Sequence, residues 1–355
     1  MLKKFLKAAG LIILLFAAAE LYVVSFLGYG IKNLEKDVQG RLLLTVCPEL
    51  QETSRACGWG LYPAERRVRN ETASQETETV WRNGQRRSRS NIVKNADKKV
   101  CLIGCSYLFG SGLSDEQTMA WKLNEHYPDI CFDNYGVPGW GTLQCYILEK
   151  RLLQLHKYDL ICYCAINDHK ERNTKYKFLG SLKPGKRYVM YPRIDIDSEN
   201  IILSGTEFWP LEYKFSLINF LHRAYIGFMS GLMQKKAELT VKDGHLYDSL
   251  MPKREKIFWD LVSMMSDEAA KAGTNFCLCL LEGEWSQWLY CPPPKTADYD
   301  IWKLSWPEIL QSEYRINHDI NEHPNQTAND IWYEKFKDCF EKKYGKDGLE
   351  LGKRR

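Results

Sequence analysis

The sequence predicts an α/β protein: a three-layer α/β/α domain around a parallel sheet, preceded by one transmembrane helix. Three observations predict it. A long apolar run occupies residues 8–31. Short apolar runs without polar alternation recur from residue 98 onward. Segments with helical spacing separate those short runs. Strands of this kind are buried on both faces, and a helix between two strands is the crossover that parallel pairing needs.

The N-terminal element comes first. Lys3, Lys4 and Lys7 precede AAGLIILLFAAAELYVVSFLGYGI, residues 8–31, in which Glu20 is the one charge. As a helix this run is about 36 Å long, against about 30 Å for a bilayer core. A leader peptide is the rival reading, because FAAAE offers a small-residue cleavage pattern near Ala19. The apolar run continues well past that point, which favours a retained anchor in the lipid bilayer. The lysine cluster predicts a cytoplasmic N-terminus and an extracytoplasmic body. Lys32 and Lys36 on the far side weaken that bias without reversing it.

Residues 32–96 are polar and mixed, and read as a stalk with an edge element near 79–82. The rhythm of the main domain, 97–345, then begins. Apolar strands are expected at 98–106, 130–137, 158–168 and 274–283. Helices are expected at 116–127, 142–156, 255–273 and 326–345. In the second helix Leu143, Tyr146, Ile147 and Lys150 share one face, and Gly273 is a fitting stop for the third. Residues 169–254 interrupt the alternation as an insertion that caps the site or contacts the membrane. It contains a hairpin turning at Ser198-Glu199-Asn200 and an apolar helical stretch at 215–233. A charged tail, 346–355, ends the chain.

Composition narrows the function. Lys and Arg total 49 against 45 for Asp and Glu, a net charge of +4 that is spread along the chain. The one dense basic patch, Arg86-Arg87-Ser88-Arg89, reads as a solvated loop, so nucleic acid is not an expected partner. The 12 cysteines suggest disulfides in an exported protein. Their placement argues otherwise: Cys101, Cys162, Cys164, Cys277 and Cys279 lie inside apolar strands, where they serve as small hydrophobes. Cys47 with Cys57 is the most credible bridge. No CxxC pair is present, so a structural zinc site is not expected.

In a parallel sheet the ligand site lies at the carboxyl ends of the strands. Ser106, Gly139 and Asn167 all fall at or just beyond such ends, and His323 sits in NEHPNQTAND directly before the last helix. A serine hydroxyl needs a neighbouring base and donors for a developing oxyanion to become a nucleophile. Taken singly, Ser106 also reads as a helix N-cap, Asn167 as a turn residue, Gly139 as part of a Pro-Gly turn and His323 as a loop residue. Trp285, Trp288, Trp302 and Trp306 read as core or membrane-interface residues, or as sugar-stacking platforms.

Four blocks in order, IGCSYLFGSG, DNYGVPGWGTLQ, CAINDH and NEHPN, resemble those of the SGNH or GDSL-type hydrolases. The resemblance covers roughly residues 79–175 and 255–345. It implies a flavodoxin-like sheet, Ser106 as nucleophile and His323 as general base. It also implies an oxyanion hole made by the backbone N–H groups of Ser106 and Gly139 with the side-chain amide of Asn167. Three positions depart from the family pattern: Cys105 stands where aspartate is usual, Ala165 where glycine is usual, and Ile320 three before the histidine. Asp319, four before it, is the expected orienting carboxylate; Glu322 is adjacent, and a dyad aided by a backbone carbonyl is the alternative. Leu108, two after the serine, excludes a G-x-S-x-G elbow.

The resemblance implies a membrane-anchored serine esterase acting on an acylated small molecule or cell-surface glycan, without metal or organic cofactor. The alternatives are an O-acyltransferase using the same serine, and a non-catalytic glycan-binding or assembly protein on the same fold.

Overall fold

The N-terminal apolar run forms helix α1 (Leu2–Phe26) in the computed structural model. That structure describes residues 2–26, 66–71, 76–82, 85–86, 88, 96–174, 178–180, 188–190, 192–194, 201–202, 215–218, 220–221, 224, 244–282, 298–318 and 323–346. The segment Lys7–Phe26 of α1 is long and apolar enough to cross a membrane. Leu11 through Leu15 are all exposed, the arrangement expected of a helix whose solvent is lipid.

Three strands follow, β1 (Arg66–Glu71), β2 (Glu76–Arg82) and β3 (Gln85–Arg86). Then come β4 (Lys98–Gly104), the single turn α2 (Ser106–Phe109), α3 (Met119–His126) and β5 (Ile130–Gly136). Next are α4 (Thr142–Leu155), β6 (Leu160–Ala165) and the single turn α5 (His169–Arg172). The insertion contributes two short antiparallel pairs, β7 (Phe178–Gly180) with β8 (Tyr188–Met190), and β9 (Arg193–Ile194) with β10 (Ile201–Ile202). The latter is the hairpin expected around residues 198–200. The chain ends through α6 (Gly244–Lys271), β11 (Asn275–Leu280), β12 (Asp300–Lys303) and α7 (Gln326–Tyr344).

The main sheet is mixed and has the order β1-β2-β3-β5-β4-β6-β11-β12. The four pairings from β5 to β12 are parallel, and the three that attach β1, β2 and β3 are antiparallel. In chain order the parallel strands run 2-1-3-4-5, one of the two common doubly wound orders.

Side-chain alternation along each strand feeds two cores. Cys101 and Ile103 of β4 join Ile161 and Tyr163 of β6 beneath α4 and α6. Val100 and Leu102 join Cys162 and Cys164 on the other face, beneath α3 and α7. Trp332, Phe336, Phe340 and Tyr344 form the stripe by which α7 covers that face; full burial stabilises each by roughly 1.5–3 kcal/mol. Gly273, at φ 77°, ends the α6 region as expected.

Several expectations need correction. The edge element expected near 79–82 is β2, whereas β1 and β3, read as stalk, also belong to the main sheet. Strand β12 went unforeseen within an aromatic-rich segment, and its Trp302 is core, packed edge-on against Phe336. In α4 Leu143 and Tyr146 are buried and Ile147 packs against the core as expected, but Lys150 is exposed, and the buried face extends through Cys145, Leu148, Glu149 and Leu152. An acid, Glu149, at a core position concealed that extension. Helix α6 begins at Gly244, not 255, and passes through Pro252. Cys47, Cys57, Trp285, Trp288 and residues 347–355 lie outside the described residues.

The largest correction is Arg86. It is no solvated-loop residue: its side chain and that of Asp115 are both fully buried, joined at 2.9 Å. The guanidinium also donates to the carbonyls of Phe109, Gly110 (2.6 Å) and Leu113 (2.6 Å). One residue of β3 thus satisfies the carbonyls of the loop that follows α2. A buried Arg without its carboxylate is an uncompensated charge, so Asp115→Ala should cost about 3–5 kcal/mol in denaturant unfolding. A loss under about 1 kcal/mol would show that the pair does not brace this loop.

Glu149 is fully buried and neither carboxyl oxygen has a partner among the described residues. Burial pushes its carboxyl well above the usual range, with Glu268 adding to the shift. The native state therefore keeps the proton while the unfolded chain releases it near pH 4.5. Stability conferred by Glu149 is complete below that pH and is lost as pH rises toward the folded-state value. Glu149→Gln cannot ionise, so its stability should gain on the native chain between pH 5 and 7, by about 1.4 kcal/mol per pH unit. Parallel unfolding curves at the two pH values would refute this.

Candidate active site

Strand β4 leads into Cys105, whose φ of −103° and ψ of −155° put it at the N-cap of α2 without a side-chain cap bond. Ser106 is therefore the first helical residue and not the cap. Its own N–H, at the first position of a helix, has no intrahelical acceptor. The Ser106 side chain is nearly buried, at 5 % exposure. Burial pushes the neighbouring Cys105 thiol up, more than the Arg172 guanidinium pulls it down. Cys105 is thus a packed thiol and no rival nucleophile.

Beyond β5, Val137 N–H donates to the Gly104 carbonyl (3.0 Å) and Trp140 N–H to that of Val137 (3.2 Å). This turn needs φ 85° at Gly139, a conformation open to glycine. Gly141 is required for contact: a Cβ there would stand 2.8 Å from Cβ of Arg172. The loop after β5 and the loop after β6 therefore touch directly.

Asn167 lies two residues beyond β6. Its Oδ1 is buried and has no partner among the described residues. Its surroundings are fixed on every side. Arg172 donates to the Trp140 carbonyl (2.8 Å) and to Asp168 Oδ2 (3.1 Å), tying the two loops together. Lys170 forms a buried pair with Glu255 of α6 at 2.7 Å. His169 Nδ1 is 2.6 Å from the Tyr163 hydroxyl, which donates to Thr142 Oγ1 at 2.9 Å. Burial pushes the His169 imidazole well below its usual range, so it stays neutral and structural.

His323 is delivered by a short antiparallel bridge between Arg315 and Pro324. Ile316 N–H donates to the His323 carbonyl (2.9 Å), and Asn325 N–H to that of Tyr314 (2.9 Å). The imidazole meets the ring of Tyr107 edge-on, with centroids 5.9 Å apart. Since Tyr107 directly follows Ser106, the carboxyl end of β4 and the loop before α7 meet on one edge of the sheet. Asp319 and Glu322 lie outside the described residues.

Sequence reasoning missed a polar cluster beside His323. The Tyr107 hydroxyl donates to Glu282 Oε1 (2.9 Å) and accepts from Arg315 (2.7 Å), and Arg315 pairs with Glu282 at 3.3 Å. Burial, reinforced by Glu282, raises the Tyr107 phenol far above its usual range, so it remains a donor. Glu282 carried a readable signal, as the first acid after an apolar strand. Arg315 carried none.

One group among the described residues has metal-ligand spacing: the Cys162, Cys277 and Cys279 sulfurs lie within 4.8 Å of one another. Burial holds all three well above the usual thiol range, so they remain thiols inside the apolar layer under α7.

The fold is that of an α/β protein in which Ser106 and Asn167 follow the carboxyl ends of neighbouring parallel strands and His323 lies against Tyr107. No family model and no curated protein sequence matches the chain.

Alkylation reads the thiol assignments. Among the nine described cysteines, all unbridged, Cys339 alone is not buried. Native protein treated with iodoacetamide at pH 8 should label, of these nine, at Cys339 first and leave Cys105 intact until unfolding, by peptide mass mapping. Rapid loss of Cys105 would mean an accessible, activated thiol.

Proposed function

We propose that the chain is a membrane-anchored serine esterase of the SGNH or GDSL type. The observation that carries this reading is the convergence of Ser106, Gly139 and Asn167 at the switch point of a 2-1-3-4-5 sheet, with His323 brought against Tyr107. The strand order is flavodoxin-like, as the resemblance implies.

In this reading the Ser106 Oγ attacks the acyl carbonyl as His323 takes its proton. The carbonyl oxygen gains charge and is met by the N–H groups of Ser106 and Gly139 and by the Asn167 amide. The intermediate collapses, His323 returns the proton to the departing alcohol, and the acyl group remains on Ser106. Water, deprotonated by the same imidazole, then releases the acid. Asp319 is the proposed orienting carboxylate. The body is proposed to lie outside the cytoplasm, with an acylated glycan or small molecule as substrate.

A second reading, O-acyl transfer to a sugar hydroxyl, draws on the contact between the insertion and the site. Ile194 N–H donates to the carbonyl of Asn173, whose side chain accepts from Leu143 N–H and donates to Thr142 Oγ1 at the start of α4. An insertion seated there is suited to excluding water from the acyl-enzyme.

The test is p-nitrophenyl acetate hydrolysis by the full chain in detergent. Ser106→Ala and His323→Ala should each lower kcat by at least about 10³-fold, and Asn167→Ala by about 10²–10³-fold. Unchanged hydrolysis in Ser106→Ala would sink the proposal. Faster turnover on adding an oligosaccharide, with acylated sugar as product, would select the transferase. A folded chain whose Ser106 resists a fluorophosphonate probe would point to a binding protein.

A further inference from the structure

The insertion meets the membrane-spanning helix. Of residues 215–224, those at 216–218, 220, 221 and 224 are described as helical. The backbone N–H groups of Ser216 and Leu217 donate to the two carboxyl oxygens of Glu20, at 2.5 and 2.6 Å. The rings of Phe215 and Phe16 meet edge-to-face, with centroids 5.2 Å apart. Between residues 11 and 26 of α1, the positions that are not exposed are Phe16, Ala19, Glu20 and Val23. Their spacing is that of a single helical stripe.

Depth follows from the geometry of α1. Glu20 lies six residues before Phe26, the last described residue of α1, and the apolar run 8–31 continues beyond it. At about 1.5 Å per residue it sits at least about 9 Å inside the end of that run. A carboxylate at that depth needs donors from the protein, because lipid supplies none. The first N–H groups of a helix need acceptors for the same reason, and the positive end of the helix dipole favours a carboxylate there. Each group compensates the other, and their contact puts both at one depth.

We propose that the apolar segment 215–224 begins inside the bilayer, docked on α1 through Glu20, and that its exposed side chains contact lipid acyl chains. Phe215 (36 % exposed) and Leu221 (56 %) extend the lipid-facing surface that Leu21 and Phe26 present on α1. The protein thus enters the membrane at two places. Helix α1 is a retained, structural part of it, since cleavage near Ala19 removes Phe16 and half of the stripe. This inference is independent of the esterase reading.

The test uses the full chain in phosphatidylcholine vesicles containing a phosphatidylcholine with a diazirine in its acyl chain. After irradiation, peptide mapping should find lipid adducts on α1 and on the peptide carrying 215–224. Adducts confined to residues 1–31 overturn the proposal, as does recovery of a chain that begins at Glu20. Glu20→Leu removes the acceptor, and adducts on 215–224 should fall about fivefold relative to those on α1, the effect of losing one helix cap. Glu20→Gln keeps an acceptor and should retain most of the labelling. Equal labelling in Glu20→Leu and the native chain overturns docking through Glu20.

Discussion

The position of β4 governs the site. It lies between β5 and β6, so the chain leaves it toward one side of the sheet and later returns on the other. The connections that leave β4 and β6 therefore diverge, and a crevice opens between them. Ser106 stands at one lip and Asn167 at the other, while the loop holding Gly139 arrives from β5. Nothing in these three loops is regular enough to hold itself in place. Two of them are joined by Arg172 on the Trp140 carbonyl and Gly141 against Arg172, and Lys170 on Glu255 anchors the loop after β6 to α6.

Two buried polar networks flank the site. Tyr163, Thr142 and His169 form a buried chain in which burial keeps the imidazole neutral. Tyr107, Glu282 and Arg315 form another on the far side, beside His323. Such networks are costly when incomplete, so they favour a single arrangement of the loops they join.

The strands that carry the site were legible because β4, β5, β6 and β11 are buried on both faces and read as unbroken apolar runs. Helix α7 was legible from its aromatic stripe and the glycine after it. What the sequence concealed was polar and long-range. Arg86 looked solvated because its partner is 29 residues away and its other acceptors are backbone carbonyls, which leave no trace in a sequence. Glu149 hid part of the inner face of α4 by putting an acid where an apolar residue was expected. Strand β12 was masked by being short and half-exposed at the edge of the sheet. Of the site, Ser106, Gly139, Asn167 and His323 were visible as punctuation at strand and helix ends, whereas Arg315 is defined only by what folds onto it.

The antiparallel extension has a consequence for the order of assembly. Strands β1 to β3 leave the ribosome before any part of the parallel sheet exists, and β3 attaches to the sheet through β5, at Arg86 opposite Asn134. Until the chain has been made as far as residue 136, these early strands have no sheet to join. Arg86 likewise waits for Asp115 and for the carbonyls of residues 109 to 113. The first part of the body to be synthesised is therefore among the last to be secured, and its unpaired edges stand exposed throughout that interval.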